Sequence, residues 1–366
     1  MRGRVRLSPG GACEVAVRIL IDLTHPAHLH FYRQAIASLR GEGHEVLLAG
    51  RRKDCLHQLA AEFGLQLESF GDFPSGWIGK AQMLAYRQWR LLRLVRRFRP
   101  DVLTAIGGTF IGLVGCLTRV PTVVFTDTES ATLSNWLTFP FASRICVPRS
   151  YQRDRPRRLL RYDGCHELAY LRASQFQPDA RILAELGVQP GERYAIVRFV
   201  DWQAGHDFGR RGLTRTQKTE AVKRLAKLGR VLVSSEAELP PSLEAYHFPL
   251  PARRMHDALA HAALLLGESS TMSLEAAVLG VPSVFIYPPV ELGIVREHER
   301  RKIIHWHAPE DFDQAMDAAE NILRTPRGDH WHGIARQFAA DSIDVSEFIR
   351  SQVLVFAPPS EQSQSR

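Results

Sequence analysis

The chain alternates short apolar runs rich in β-branched residues with longer amphipathic runs, and it does so twice along its length. Short apolar runs are typical of buried strands, and longer amphipathic runs are typical of helices. Repeated strand–helix–strand units predict a parallel sheet that has helices on both faces. The sequence therefore indicates an α/β protein with two tandem Rossmann-like, doubly wound domains that face each other across a cleft.

The boundaries follow from the two series of alternating runs. We predict a disordered extension over 1–16, an N-terminal domain over 17–165, a C-terminal domain over 166–355 and a disordered tail over 356–366. The predicted strands are 17–23, 45–49, 101–106, 122–126, 144–147, 194–200, 230–234, 262–266 and 283–287. The predicted helices are 31–40, 54–63, 80–98, 110–118, 215–228, 253–261 and 272–279, and further helical segments fill the remainder.

Composition narrows the class of protein. With 366 residues, 45% hydrophobic and 23% charged, the chain suits two soluble domains and excludes wholesale disorder. No apolar run reaches the roughly 18 to 20 residues of a membrane span. Five scattered cysteines without a Cys-x-x-Cys motif are typical of reduced thiols in a cytoplasmic protein. The net charge of +8 favours anionic partners, but no nucleic-acid-binding motif is present, and we expect no nucleic acid.

A basic amphipathic segment offers one surface for such a partner. RQWRLLRLVRRFR, from Arg87 to Arg99, contains six arginines and no acidic residue. Such a helix could lie against anionic lipid and place the protein at the inner face of the cell membrane, near a lipid-linked acceptor. A solvated helix face is the alternative.

The segment GESSTMSLEAAVLGVP, residues 267–282, joins a strand to a helix through small hydroxyl residues. Ser269, Ser270 and Thr271 can cap this helix, whose free N–H groups and dipole suit a diphosphate. Glu275 falls near the first turn, where its carboxylate could accept hydrogen bonds from a ribose. The alternative is an ordinary N-cap followed by a core helix, with Glu275 as a structural residue.

Two loops of the first domain supply candidate catalytic residues. THPAHLHF, residues 24–31, follows the first strand, and we assign acid–base work or phosphate contact to His25 and His28. A metal site on these histidines lacks a supporting motif and we expect none, while a histidine-capped helix is the structural alternative. FTDTES, residues 125–130, places Asp127 and then Glu129 at a strand end as candidate general bases.

Two loops of the second domain offer candidate donor contacts. VRFVDWQAGHDFGRRG, residues 197–212, supplies four candidates: Arg198, Trp202, His206 and Asp207. An arginine can bind a phosphate with two hydrogen bonds, although Arg198 lies within a strand and could instead be an internal ion-pair partner. Ser235 and Glu236 follow the next strand and are expected to line the same site.

Two motifs resemble those of known families. Glu275, Gly280 and Pro282, after the small-residue helix start, resemble the donor site of GT-B nucleotide-sugar enzymes. The relatives of this kind are the lipid II-forming N-acetylglucosaminyltransferase and the UDP-N-acetylglucosamine 2-epimerases. The opening D-x-x-H-P-A-H-x-H-F, from Asp22 to Phe31, is similar to an uncharacterised GT-B-like family of archaea and bacteria.

The resemblance implies a function as well as a fold. It implies a glycosyltransferase of cell-envelope polysaccharide synthesis that moves a sugar, most simply UDP-linked, to a glycan or lipid-linked acceptor without a cofactor. In the transferase, the glutamate that matches Glu275 holds the ribose. Two alternatives stay open: a UDP-N-acetylglucosamine 2-epimerase-like enzyme, whose paired-glutamate signature is absent because Ala276 follows Glu275, and a non-catalytic nucleotide-sugar-binding protein.

Overall fold

A computed structural model describes residues 16–50, 56–70, 77–154, 159–201, 212–326 and 328–357 of the chain. The chain divides into two compact units. Unit 1 combines residues up to Tyr170 with those from Ile343 onward, and unit 2 extends from Leu171 to Ser342. The predicted extension falls outside the described residues except for Ala16, as does the predicted tail from residue 358 onward.

Unit 1 contains a seven-stranded parallel sheet in the order β3-β2-β1-β4-β5-β6-β7. Its strands are β1 (Arg18–Leu23), β2 (Glu45–Gly50), β3 (Leu67–Ser69), β4 (Val102–Ile106), β5 (Thr122–Phe125), β6 (Arg144–Pro148) and β7 (Leu159–Tyr162). Its helices are α1 (Pro26–Gly41), α2 (Leu56–Glu62), α3 (Trp77–Phe98), α4 (Ile111–Thr118), α5 (Thr132–Thr138), α6 (Leu168–Leu171, ending at the first residue of unit 2) and, further along the chain, α14 (Val345–Leu354).

The first sheet is buried on both faces, as its almost purely apolar strands require. On one face, Leu20 of β1, Leu103 of β4 and Val124 of β5 form a continuous row that packs against Leu94 of α3 and Ile111 of α4. Each fully buried side chain of this size contributes about 1.5–3 kcal/mol by leaving water.

Unit 2 contains a five-stranded parallel sheet in the order β12-β11-β10-β8-β9. Its strands are β8 (Tyr194–Phe199), β9 (Arg230–Ser235), β10 (Leu264–Gly267), β11 (Ser283–Ile286) and β12 (Ile304–His307). Its helices are α7 (Ile182–Glu185), α8 (Arg215–Ala226), α9 (Met255–His261), α10 (Ser270–Val278), α11 (Gly293–Arg300), α12 (Phe312–Arg324) and α13 (His330–Ala340).

Helix α10 ends in a defined stop. Gly280 has φ +77°, and the N–H groups of Gly280 and Val281 donate to the carbonyls of Ala277 and Ala276. This is a Schellman motif, in which glycine adopts the left-handed conformation at little cost. A Cβ at Gly280 would come within 2.3 Å of His332 Nδ1, so the glycine of the E-x-x-x-x-G-x-P motif is needed for structure.

The predicted domain boundaries need two corrections. Unit 1 continues to Tyr170, five residues beyond the predicted boundary. The rings of His166 and Tyr170 pack on Phe31 and His30 of α1, which keeps this segment on unit 1. The segment 343–355, predicted in the C-terminal domain, belongs to unit 1. There α14 packs on α1, and Arg350 of α14 forms an ion pair with Glu42 at 2.9 Å.

Candidate functional site

Each sheet has one point where the strand order reverses direction, and ligands of doubly wound folds bind outside the strand ends at such points. In unit 1 the reversal lies between β1 and β4, and in unit 2 it lies between β8 and β10. The loops that follow these four strands carry most of the residues that the sequence analysis selected. The topology thus places two candidate sites, one in each unit.

His25 and His28 lie at the start of α1, directly after β1. His25 is exposed and is the N-cap of α1, with its Nδ1 accepting a hydrogen bond from the N–H of Ala27 at 3.2 Å. His28 is half-buried, and its Nδ1 lies 3.3 Å from the Thr24 backbone nitrogen and 3.2 Å from the Thr24 hydroxyl. Burial lowers the pKa of His28 well below its usual value, and the nearby His25 lowers it further. His28 is therefore a neutral imidazole near pH 7.

Asp127 follows β5, and each of its carboxylate oxygens has a polar neighbour. Oδ1 accepts a hydrogen bond from the Thr128 hydroxyl at 2.9 Å, and Oδ2 lies 3.3 Å from Nδ1 of His166. The Asp127 side chain keeps 19% of its surface exposed. His166 was not among the predicted site residues.

Glu129 does not face the open side of the loop, contrary to the expectation for a second candidate base. It is fully buried, and its Oε1 accepts a hydrogen bond from the backbone N–H of Gln152 at 3.0 Å. A buried carboxylate that accepts a backbone N–H fixes the path of the chain. In this geometry Glu129 ties the loop after β5 to the segment after β6.

The arginine-rich helix differs from its predicted surface arrangement at Arg87. Its side chain is buried and forms an ion pair with Asp22, at the end of β1, with 2.6 Å between the charged atoms. The Arg87 guanidinium also lies 4.0 Å from the centre of the Phe110 ring. Arg93 and Arg96 are exposed, so the basic surface begins further along α3.

In unit 2, Arg198 has an internal partner. Its guanidinium donates to the hydroxyl of Ser234 at 2.7 Å and forms a 2.7 Å ion pair with Glu236. The other oxygen of Glu236 accepts the backbone N–H of Asp201 at 3.2 Å. The structure therefore brings Arg198 and Glu236 together, as predicted for one site, but in an ion pair. Ser235 is half-buried at the end of β9.

Glu268 organises the same strand ends and was missed from the sequence, although it directly follows Gly267. Its carboxylate is fully buried and accepts the N–H groups of Val200 at 3.2 Å and Leu213 at 2.7 Å. Lys218 of α8 pairs with it at 3.0 Å. Glu268 thus holds the two ends of the segment that contains Trp202, His206 and Asp207, which lie outside the described residues.

The start of α10 is capped by a hydroxyl residue, as the sequence predicted. Ser269 is the N-cap, and its hydroxyl accepts the N–H of Met272 at 3.3 Å. Ser270 and Thr271 occupy the first turn and are half-buried, and first-turn N–H groups have no partner inside a helix. These groups, together with the helix dipole, can bind an anion.

Glu275 is buried rather than facing open solvent, which corrects the expectation that its carboxylate lies apart from the core. It is 5% exposed, and its Oε1 lies 3.0 Å from Nε2 of His256 on α9. Met272 and Ala276, on the same helix, are also buried. The sequence gives no signal for His256, because nothing in the spacing links residue 256 to residue 275.

Among the described residues, no group of three or more histidine, cysteine, aspartate or glutamate side chains is arranged to hold a metal ion. Within the same part of the chain, no helix is long and apolar enough to cross a membrane.

Solved structures with a similar fold include an epimerase and a rhamnosyltransferase. A putative UDP-N-acetylglucosamine 2-epimerase from Listeria monocytogenes is 14% identical, with a TM-score of 0.70, and covers 95% of this chain and 98% of its own. The spinosyn rhamnosyltransferase SpnG complexed with thymidine diphosphate is 16% identical, with a TM-score of 0.62, covering 92% and 99%. These neighbours and the two parallel-sheet units confirm the predicted GT-B fold class.

Sequence comparison gives the family. The uncharacterised protein MJ0665 of Methanocaldococcus jannaschii is 24% identical over 317 residues, which is 83% of this chain and 91% of that protein. The model of a family described as "Protein of unknown function (DUF354)" matches residues 17–335. Because the match spans most of the chain, the protein belongs to the DUF354 family, as the D-x-x-H-P-A-H-x-H-F opening predicted.

Proposed function

We propose that this protein is a GT-B glycosyltransferase that transfers a sugar from a UDP-linked donor to a glycan or lipid-linked acceptor. The observation that carries the proposal is the turn from β10 into α10. There a hydroxyl-capped helix start, Ser269 to Thr271, lies at the strand-order reversal of unit 2. Solved structures of the same fold include complexes with UDP and with thymidine diphosphate, which supports a nucleoside diphosphate as the ligand class.

The chemistry assigned to this turn is charge stabilisation. Sugar transfer leaves negative charge on the departing diphosphate, and a helix N-terminus offers fixed N–H donors and a positive dipole end to that charge. The neighbouring Arg198 adds a positive charge that Glu236 partly neutralises. This assignment needs no metal cofactor on the donor.

Unit 1 supplies the acid–base groups in this proposal. Asp127 is the assigned general base because its side chain keeps exposed surface while the Thr128 hydroxyl donates to one of its oxygens and His166 lies beside the other. His28 and His25 lie in the loop after β1, and we assign them contact with the acceptor or the phosphates. Glu129 is assigned to the structure of the loop after β5, because it is buried against the backbone of Gln152.

An epimerase acting on a nucleotide sugar is the second candidate. The observation that favours it is the number of proton-transfer groups near one loop of unit 1. His28, Asp127 and His166 interact electrostatically there, and epimerisation needs groups that remove and return a proton. Solved structures of this fold include three that are named UDP-N-acetylglucosamine 2-epimerase and a complex of MnaA with UDP.

A panel of UDP-linked and TDP-linked sugars tests the proposal and separates its alternatives. Thermal shift reports binding, since a ligand of the native state raises the melting temperature. Release of the nucleoside diphosphate with an acceptor present supports a transferase, whereas conversion of UDP-N-acetylglucosamine to its C2 epimer without an acceptor supports an epimerase. Binding without turnover indicates a binding protein. No shift with any nucleotide overturns the proposal.

A pair of matched variants locates the diphosphate. Thr271→Glu places a carboxylate in the first turn of α10, and Thr216→Glu places one at the same position of α8. Negative charge in a first helical turn is compatible with folding. We expect Thr271→Glu to weaken UDP binding at least about tenfold by charge repulsion, which is about 1.4 kcal/mol, and Thr216→Glu to leave it unchanged. Equal affinities would contradict the assignment.

A further inference from the structure

His166 and Asp127 come from different strand ends of the first sheet and meet side by side. Asp127 follows β5, and His166 follows β7, two strands away in the sheet order. Nδ1 of His166 lies 3.3 Å from Oδ2 of Asp127. The pair is therefore assembled by the fold and not by local sequence.

The imidazole of His166 is held in one place by apolar packing. The residue is 6% exposed, and its ring centre lies 4.6 Å from that of Phe31, which is itself fully buried. Burial lowers the pKa of His166, although the charge of Asp127 opposes this effect. A neutral imidazole has one N–H, and a carboxylate only accepts hydrogen bonds, so the proton lies on Nδ1. Nε2 has no hydrogen-bond partner among the described residues.

Within this pair, Asp127 is the member that a substrate can reach. Its side chain keeps 19% of its surface exposed, against 8% for His166, and its second oxygen is held by the Thr128 hydroxyl. The Thr128 hydroxyl donates to one carboxylate oxygen, and Nδ1 of His166 lies 3.3 Å from the other. Among the described residues, no arginine or lysine forms an ion pair with Asp127 that would weaken it as a base.

We propose that His166 is the positioning residue of the acid–base site in unit 1: its Nδ1–H holds the Asp127 carboxylate in the orientation that accepts a proton from the attacking hydroxyl. This inference rests on the proposed transferase function. In the step, the acceptor O–H gives its proton to Asp127 and its oxygen bonds to the anomeric carbon. The bond from that carbon to the diphosphate oxygen breaks, and the diphosphate leaves with the electron pair.

Other titratable groups surround the pair and define what must be controlled. His28 of α1 interacts electrostatically with His166. Burial raises the pKa of Tyr151 to about 12 and that of Tyr162 well above its usual value. The negative charge of Asp127 raises both pKa values further. Both tyrosines therefore stay protonated near neutral pH. The histidines are the groups whose state must be observed directly.

Side-chain replacements at His166 separate positioning from packing. The amide of asparagine can occupy the place of Nδ1 and still donate to Asp127, whereas phenylalanine fills the volume without a donor. The glutamine amide reaches the place of Nε2 and so misses Asp127. We expect His166→Asn to keep kcat within about threefold. In His166→Phe and His166→Gln we expect kcat to fall about 100-fold, because misplacing a catalytic group costs this much. The KM for UDP-N-acetylglucosamine should not change in these two variants.

The measurements are UDP release from UDP-N-acetylglucosamine, in the presence of acceptor or of water alone, and UDP binding by calorimetry. Melting curves show which variants fold, and His166→Gln replaces His166→Phe if the latter does not. Full activity in the folded Phe and Gln variants, or an Asn variant as slow as them, overturns the proposal. If the wild-type protein does not bind UDP, that result refutes the proposed function instead.

A second readout does not depend on turnover. The ¹⁵N resonances of the imidazole distinguish the Nδ1–H tautomer, the Nε2–H tautomer and the charged ring. We expect His166 to be neutral with its proton on Nδ1 near pH 7, and its Nδ1–H resonance to move in Asp127→Asn. A charged ring or the Nε2–H tautomer would overturn the positioning role whatever reaction the protein catalyses.

Discussion

The guanidinium of Arg87 lies 2.6 Å from the carboxylate of Asp22, and both side chains are buried at the end of β1. Removing one partner of such a pair leaves a buried charge without compensation. The pair also lies at the base of the loop that carries His25 and His28. Its main expected role is to fix that loop in the fold.

We predict that Arg87→Met lowers the free energy of unfolding by about 3–5 kcal/mol, because Asp22 would remain as an uncompensated buried charge. The double variant Asp22→Asn, Arg87→Met should recover part of that loss, because neither side chain then carries a charge. Urea unfolding curves measure both. A loss below about 1 kcal/mol in Arg87→Met would show that the pair is not coupled to stability.

Membrane contact by α3 depends on the arginines that stay exposed. Arg93 and Arg96 are exposed, and the neighbouring Trp89 has 48% of its surface exposed. Each basic residue near an anionic surface contributes about 1 kcal/mol. We predict that Arg93→Gln with Arg96→Gln weakens binding to phosphatidylglycerol vesicles about thirtyfold, from the sum of the two contributions.

The matched control for this experiment is Lys223→Gln with Lys227→Gln, which removes the same charge from exposed positions of unit 2. Vesicle co-sedimentation at low and high salt measures binding by the wild type and the two double variants. Equal losses in the two double variants would mean that net charge, and not α3, governs the interaction. No binding by the wild type would remove the membrane from the proposal.

Glu275 can hold a ribose only together with its hydrogen bond to His256. We predict that Glu275→Gln folds, because an amide can keep a hydrogen bond to His256, and that it weakens UDP binding about ten- to a hundredfold through loss of a charged acceptor. Glu275→Ala should in addition lower the free energy of unfolding by about 1–3 kcal/mol. Calorimetric UDP titrations and melting curves measure the two effects.

Glu244→Gln, at an exposed position of the same unit, is the control for this titration and should change neither quantity. Wild-type UDP affinity in Glu275→Gln would assign Glu275 to structure alone. The donor-site proposal would then rest on the α10 helix start.

Stability should fall on acidification because the half-buried His28 and the buried His166 and His298 resist protonation. Burial lowers the pKa of His28, His166 and His298 in the folded protein. The unfolded chain binds protons at these positions near pH 6.5, whereas the folded chain does not. Stability therefore falls as the pH falls below about 6.5. Each histidine contributes at most about 1.4 kcal/mol per pH unit to this loss.

His298 tests this contribution away from both candidate sites. Its Nδ1 lies 3.0 Å from the carbonyl oxygen of Ile294, and its ring packs against Phe338. We predict that His298→Phe flattens the pH dependence of urea unfolding between about pH 7.5 and 5.5 by up to one proton. His330→Phe, at an exposed position, is the control. An unchanged slope in His298→Phe would contradict the prediction.

The alternation of strands and helices predicted most of the fold, because strong periodicity is local. It missed three strands: β3, which has only three residues, β7, which lies in a basic segment interrupted by proline, and β12, whose sequence is IHWH. All three are edge strands of their sheets. Edge strands need fewer apolar residues than central ones, so their sequences resemble loops.

The sites were predictable only as far as chain position allowed. Strand ends identified Asp127 and Ser269, but the partners His166 and His256 come from distant segments that only the fold brings near. Arg87 did carry a signal: it lies four residues before Leu91 and seven before Leu94, on the apolar side of α3 and not on its basic side. An arginine on an apolar stripe indicates a buried partner.

Helix α14 belongs to unit 1 but follows unit 2 in the chain, so ribosomal synthesis completes unit 2 before unit 1. Unit 2 is inserted between two parts of unit 1, and its two ends lie together, since Arg172 donates to the carbonyl of Ser342 at 3.3 Å. A growing chain therefore exposes all of unit 2 before the last helix of unit 1 exists. Domains usually fold as units during translation, so the part of the protein that is begun first is completed last. Premature termination after residue 342 would leave a finished second unit attached to a first unit that lacks its covering helix.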